Sequence, residues 1–160
     1  MALIAWFLGA IGFDSLVPSF KNADLENDSF LKNLAEFVSR ELGIKINPEL
    51  ALPSVRVVGD EIQFLENHDY SYATEQIRGK YTPIWQRIHL RTWRIDLLVH
   101  ELVHYFQHIY RGKTQFGDED HAEAWIVAGR FMRSRYPLHY WLCMFLYGHL
   151  GLWDSKFAIL

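Results

Sequence analysis

The sequence predicts an α+β domain, because segments with helical periodicity flank a central region with strand character. Apolar residues recur three and four positions apart over residues 24–42, 93–110 and 119–134. The strand-like segments are residues 52–58 and 84–91, where β-branched residues or partial alternation dominate. A group of strands followed by a group of helices is typical of the α+β class.

The first predicted helix covers residues 24–42. Its apolar side chains share one face of a helix and are Phe30, Leu31, Leu34, Phe37, Val38 and Leu42. Gly43 follows at the position where glycine commonly ends a helix in the left-handed conformation. We therefore expect an amphipathic helix that packs on a core and stops at Gly43.

The strands are predicted from β-branched residues and turn residues. Residues 52–58 contain three valines after a proline, a Gly-Asp turn follows at 59–60, and residues 61–65 are expected to form the returning strand. The polar segment 66–83 is predicted as a loop. Partial alternation then indicates a last strand that ends near Leu90.

Two helices are predicted to follow that strand. Thr92 is expected to cap a helix over residues 93–110, and Gly112 is expected to end it. The second helix covers residues 119–134, with Asp118 as its N-cap.

The two terminal segments are unusually apolar. Residues 1–13 carry no charged side chain, and residues 136–153 are largely aromatic. The first is too short to span a bilayer and has no basic residue before its apolar run, so a buried element is expected rather than a leader. The second contains proline and two histidines, which favours a buried C-terminal helix over a membrane span. Membrane contact is the alternative for both segments.

Composition narrows the functional classes. The net charge of −3 indicates no nucleic-acid partner, since such partners favour a basic face. Cys143 is the single cysteine, which excludes an internal disulfide and the multi-cysteine zinc sites. We expect one domain over residues 1–160, located in the cytoplasm, with secretion or membrane association as alternatives. Any metal would be held by His, Asp or Glu.

The segment LLVHELVHYFQH, residues 97–108, contains the pattern HExxH. Residues four apart lie on one face of a helix, so His100 and His104 can bind one metal ion together. Glu101 lies beside them, where it can take a proton from a metal-bound water. Burying these polar groups in an apolar helix is costly without a partner, and a metal ion supplies one.

A catalytic zinc usually has three protein ligands and a water. Glu123, in the next helix, is predicted as the third ligand because the small residues Ala122 and Ala124 beside it allow two helices to approach closely. His121 and Glu119 are the alternatives. Acidic residues at a helix N-terminus are also explained by the helix dipole alone.

These motifs resemble those of zincin metallopeptidases of the gluzincin type. HELVH in an apolar helix is followed about twenty residues later by Glu-Ala in a second helix, as AEAW here. The closer similarity is to small, uncharacterised bacterial and phage families assigned as peptidases, and it covers about residues 84–132. The resemblance implies a zincin-like fold, with a small antiparallel or mixed sheet packed on the HExxH helix and further helices C-terminal to it.

The resemblance also implies an activity. One Zn²⁺ would be held by His100, His104 and Glu123, with Glu101 as general base in the cleavage of peptide or protein amide bonds. The strand just before the helix, about residues 87–90, would pair with an extended substrate. Val127 stands where gluzincins often have an aspartate four residues after the ligand glutamate.

Three alternatives stay open at this point. The domain could bind metal without catalysing a reaction, or act as a membrane-associated interaction protein. Imidazole and carboxylate ligands also suit iron or manganese.

Overall fold

The computed structural model describes residues 17–59 and 78–145. In chain order, its elements are α1 (Asn22–Leu25), α2 (Asp28–Glu41), β1 (Ser54–Val57), β2 (Gly79–Thr82), β3 (Arg87–Leu90), α3 (Ile95–Arg111), α4 (Asp118–Arg135) and α5 (Pro137–Cys143). The α+β prediction is confirmed. The predictions for residues 1–13 and 61–65, and for 146–153 of the C-terminal segment, lie outside the described residues.

The three strands form a small mixed sheet in the order β1-β3-β2. The central strand β3 pairs with β1 in parallel and with β2 in antiparallel orientation. A small sheet of this kind was expected, but the prediction of a loop over residues 66–83 is wrong for its last residues, which form β2. In the short sequence GKYT, the first two residues disfavour a strand and the last two favour one, so pairing with β3 through a tight turn decides the conformation.

The position of β3 also makes one sequence prediction wrong. Both edges of this strand are already paired, so it cannot accept an extended substrate. The neighbouring strand β2 lies at the sheet edge, within the described part of the chain. Arg91 donates its backbone N–H to the carbonyl of Arg78 at 2.8 Å. By antiparallel alternation, the backbone polar groups of Gly79 and Tyr81 then point away from β3.

The predicted helix 24–42 is two helices. The side chain of Asn27 accepts a hydrogen bond from the backbone N–H of Ser29 at 3.0 Å and so caps a new helix, α2. Gly43 follows the C-cap Leu42 with φ of +67°, as expected.

The HExxH helix, α3, begins two residues later than predicted. Thr92 is not its cap. Arg94 holds the N-cap position without a side-chain cap, and the N–H of Ile95 donates instead to the carbonyl of Pro18 at 3.1 Å. The helix ends as expected at Gly112, with φ of +67°. In α4, Asp118 is the first helical residue and Gly117 is the N-cap.

Helix α3 is the centre of the core. Every residue from 95 to 107 is buried, because α3 is covered by the sheet on one side and by α2 and α4 on the others. Its apolar side chains therefore have contacts on several faces, and the polar side chains of the motif are buried with them. In the described residues, no helix is both long enough and apolar enough to cross a membrane.

The C-terminal helix differs from its prediction. Within the described part of the segment 136–153, α5 buries Tyr140 and Cys143 but exposes Leu138, Trp141 and Leu142. It covers the core with one face only, so the expectation of a fully buried helix is wrong here.

Replacing Ile88 with alanine tests the core described above. Ile88 lies in the central strand and is completely buried, whereas Ile84, in the turn before it, is 89% exposed. We expect Ile88→Ala to lower the free energy of unfolding by about 2–5 kcal/mol. The matched control Ile84→Ala should change it by less than about 0.5 kcal/mol. Urea denaturation measures both, and equal losses would contradict the position assigned to β3.

Candidate metal centre

Three histidine side chains converge between α3 and α4. His100 and His104 lie one turn apart on α3, and His121 lies in the first turn of α4. The Nε2 atoms of His100 and His104 are 3.1 Å apart. The Nδ1 atom of His121 is 3.0 Å from Nε2 of His104 and 3.4 Å from Nε2 of His100.

These separations suit a tetrahedral metal ion. With zinc–nitrogen bonds of 2.0–2.1 Å, two ligand nitrogens at a tetrahedral zinc are ~3.3 Å apart. His100 and His104 are buried, while His121 is exposed, so solvent reaches the cluster from the α4 side. The arrangement can supply three nitrogen ligands and leave a position open to water.

Burial keeps the imidazoles of His100 and His104 neutral. It lowers the pKa of His100 well below its usual value, and the neighbouring His104 and His121 lower it further. Burial also lowers the pKa of His104 to about 4, against the opposing effect of its hydrogen bond to Gln107. Neutral imidazole is the form that binds a metal, so the cluster is ready to bind one at pH 7.

Gln107 determines which nitrogen of His104 carries the proton. Its amide nitrogen donates to the carbonyl of Asp120 at 3.1 Å and to Oε2 of Glu123 at 2.9 Å. Its amide oxygen therefore faces Nδ1 of His104, at 2.7 Å. An amide oxygen can only accept, so Nδ1 is protonated and Nε2 directs a lone pair into the cluster.

His100 is held differently from His104. Its Nδ1 is buried and, within residues 17–59 and 78–145, has no hydrogen-bond partner. The ring instead packs against the indole of Trp125, with 4.1 Å between centroids. One ligand ring is thus oriented by a hydrogen bond and the other by packing.

The structure does not bring Glu123, the predicted third ligand, to the histidine pair. Its carboxylate accepts hydrogen bonds from Arg111 at 2.5 and 3.0 Å and from Gln107. Burial opposes ionisation of Glu123, but these hydrogen bonds outweigh it and lower its pKa. Among the described residues, the one group placed to share an ion is His100, His104 and His121, without Glu119.

The sequence did contain a sign that His121 faces α3. The buried residues of α4 include Ala124, Val127, Ala128 and Phe131, which recur at helical spacing. Extended backwards by three residues, this stripe reaches His121. Glu123, two residues after His121, points in a different direction because residues two apart do not share a helix face.

Glu101 lies against the edge of β2. Its carboxylate is hydrogen-bonded by the backbone N–H of Tyr81, and a Cβ on residue 79 would lie only 2.8 Å from Oε1. Position 79 is therefore a glycine because any larger residue would collide with this carboxylate. Burial raises the pKa of Glu101 to about 8, although the Tyr81 amide and the nearby Lys80 lower it.

No family model matches the sequence, and the comparisons with curated proteins and with solved structures gave no match either. The functional argument therefore depends on the geometry of the site and on the motif.

The buried Glu101 predicts a specific pH dependence of stability. The folded state keeps the Glu101 proton up to about pH 8, whereas the unfolded state loses it near pH 4.5, so stability falls as pH rises between these values. Between pH 6.5 and pH 9, the free energy of unfolding of the metal-free protein should fall by about 2 kcal/mol because of Glu101. The Glu101→Gln variant should not show this fall. Denaturation in the presence of a chelator measures this difference. Parallel pH curves for the two proteins would show that Glu101 is already ionised in the folded state.

Proposed function

We propose that the protein is a zinc-dependent hydrolase of zincin-like fold that cleaves peptide amide bonds. In this proposal His100, His104 and His121 hold one Zn²⁺, and Glu101 is the general base. The observation that carries it is the convergence of three imidazole nitrogens within 3.4 Å of one another. Two of them belong to α3, where Glu101 directly follows His100. His121 takes the place that the sequence assigned to Glu123.

The donor set favours zinc. Three imidazoles with an open fourth position form a common catalytic zinc site, and the described cluster contains neither thiolate nor carboxylate. Zinc in such a site lowers the pKa of a bound water towards 7 and polarises a carbonyl group. Iron or manganese remains the alternative metal, and elemental analysis distinguishes them.

The environment of Glu101 suits proton transfer. A general base works best when its pKa is near the working pH, and burial raises the pKa of Glu101 to about 8. A cation held by the adjacent imidazoles favours the carboxylate form. Glu101 would then accept a proton from the attacking water and deliver it to the leaving amine, while the Tyr81 amide keeps the carboxylate in position.

The edge of β2 supports a peptide as the substrate. The backbone groups of Gly79 and the carbonyl of Tyr81 point away from β3, while the Tyr81 N–H on the same edge donates to Glu101. An extended peptide that pairs with this edge would bring its carbonyl groups close to the general base. β2 thus takes the role that the sequence assigned to the strand at residues 87–90.

The identity of the third ligand is tested by zinc binding. We expect His121→Ala to weaken zinc binding by more than the ~10–100-fold that outer partners of a ligand contribute. Glu123→Gln acts only through Gln107 and should weaken it by no more than about tenfold. Competition with a chromophoric chelator measures both affinities. The opposite order of effects would restore Glu123 as the ligand.

The role of Glu101 is tested by activity in the zinc-loaded protein. Glu101→Gln should keep stoichiometric zinc and lower peptide hydrolysis about 10²–10⁴-fold. Glu119→Gln, an exposed carboxylate in α4, is the matched control and should keep full activity. Turnover by Glu101→Gln at the wild-type rate would refute its role. Zinc binding by wild type without hydrolysis of any peptide in a broad library would instead favour a non-catalytic metal-binding domain.

A further inference from the structure

The outer face of α5 is an exposed apolar stripe. Leu138, Trp141 and Leu142 lie in α5, Phe145 follows two residues after its end, and the four are spaced as i, i+3, i+4 and i+7. They are 77%, 57%, 38% and 72% exposed. We call these four residues the α5 outer face. The opposite side of the helix, with Tyr140 and Cys143, packs on the core. Large exposed apolar patches of this kind mark sites of interaction with a partner or a membrane.

The surroundings of this face are basic. Arg133 and Arg135 are exposed on the last turn of α4, directly before α5, while Arg130, one turn earlier, pairs with Glu41. The guanidinium of Arg133 lies 5.8 Å from the ring centroid of Trp141, at the border of the stripe. The sequence has no acidic residue between Glu123 and Asp154, although the whole chain has a net charge of −3. Positive charge is thus concentrated where the apolar side chains are exposed.

We propose that the α5 outer face binds the surface of an anionic lipid bilayer. Tryptophan, phenylalanine and leucine on one helix face, flanked by arginine, are typical of helices that lie in the headgroup region. The apolar side chains lie on one face of α5, so in the described residues the contact is with the headgroup region of one leaflet. This inference is independent of the proposed hydrolase activity.

A second copy of the chain fits this face less well. In a two-fold symmetric dimer the same patch occurs on both subunits, so the arginines would face one another without an acidic partner from this segment. An anionic bilayer offers a hydrocarbon region for the apolar side chains and negatively charged headgroups for the arginines.

The test is co-sedimentation of the full chain with vesicles of phosphatidylcholine, with or without phosphatidylserine. We expect the wild type to bind the anionic vesicles only. Leu138→Ser combined with Trp141→Ser should lower the affinity at least about tenfold, because two apolar side chains no longer insert into the bilayer. Arg135→Gln should lower the affinity about fivefold, because one basic residue near an anionic membrane surface contributes about 1 kcal/mol to binding. The control is Trp85→Ser in the β2–β3 turn, because Trp85 is also 57% exposed, and it should bind as wild type.

Circular dichroism and thermal melting establish that each variant is folded. The proposal is overturned by absence of binding to anionic vesicles, by equal binding to neutral ones, or by binding that the double substitution leaves unchanged. A dimer in sedimentation velocity that the double substitution dissociates would also overturn it, since a second copy would then cover the face.

Discussion

The close packing of α4 across α3 is the contact on which the site depends. Ala124, Ala128 and Gly129 are buried in α4 and let the two helix backbones approach. Because of this approach, a histidine in the first turn of α4 reaches two histidines in the middle of α3. Gln107 joins the helices at the same level through the carbonyl of Asp120. Neither helix alone holds three nitrogens together.

The same packing requires α3 to bury several polar side chains, and two of them have compensating hydrogen bonds. His104 is hydrogen-bonded to Gln107, and Glu101 is hydrogen-bonded to the backbone of β2. Uncompensated burial of such groups costs several kcal/mol, so these contacts are a condition of folding as well as of function. Burial therefore keeps the imidazoles of His100 and His104 neutral, and their contacts with Trp125 and Gln107 restrict their orientation.

The sequence predicted the features that depend on local pattern. The HExxH helix and its end at Gly112 follow from apolar periodicity and from glycine chemistry, and the structure confirms both. The strand near Leu90 follows from partial alternation. These predictions succeeded because a single segment carries the whole pattern.

The features that depend on several segments were not predictable in the same way. The strand β2 forms because β3 pairs with it, since the mixed propensities of GKYT do not decide its conformation. Thr92 is not the cap of α3 because Pro18, more than seventy residues earlier, provides the acceptor. The choice between His121 and Glu123 depends on the rotation of α4 about its axis, which the Arg111–Glu123 ion pair and the buried alanine stripe determine together.

The unequal anchoring of the three imidazoles has a consequence for the exchange of any ion held between them. Two of them belong to the rigid centre of α3, whereas His121 is exposed on the opening turn of another helix. That turn is held by Asp120, which accepts from the N–H of Gly117 and pairs with Lys113. Fraying of this one turn would separate His121 from the other two imidazoles while the core stays intact, so exchange of a bound ion would depend on the local stability of a helix end rather than on global unfolding.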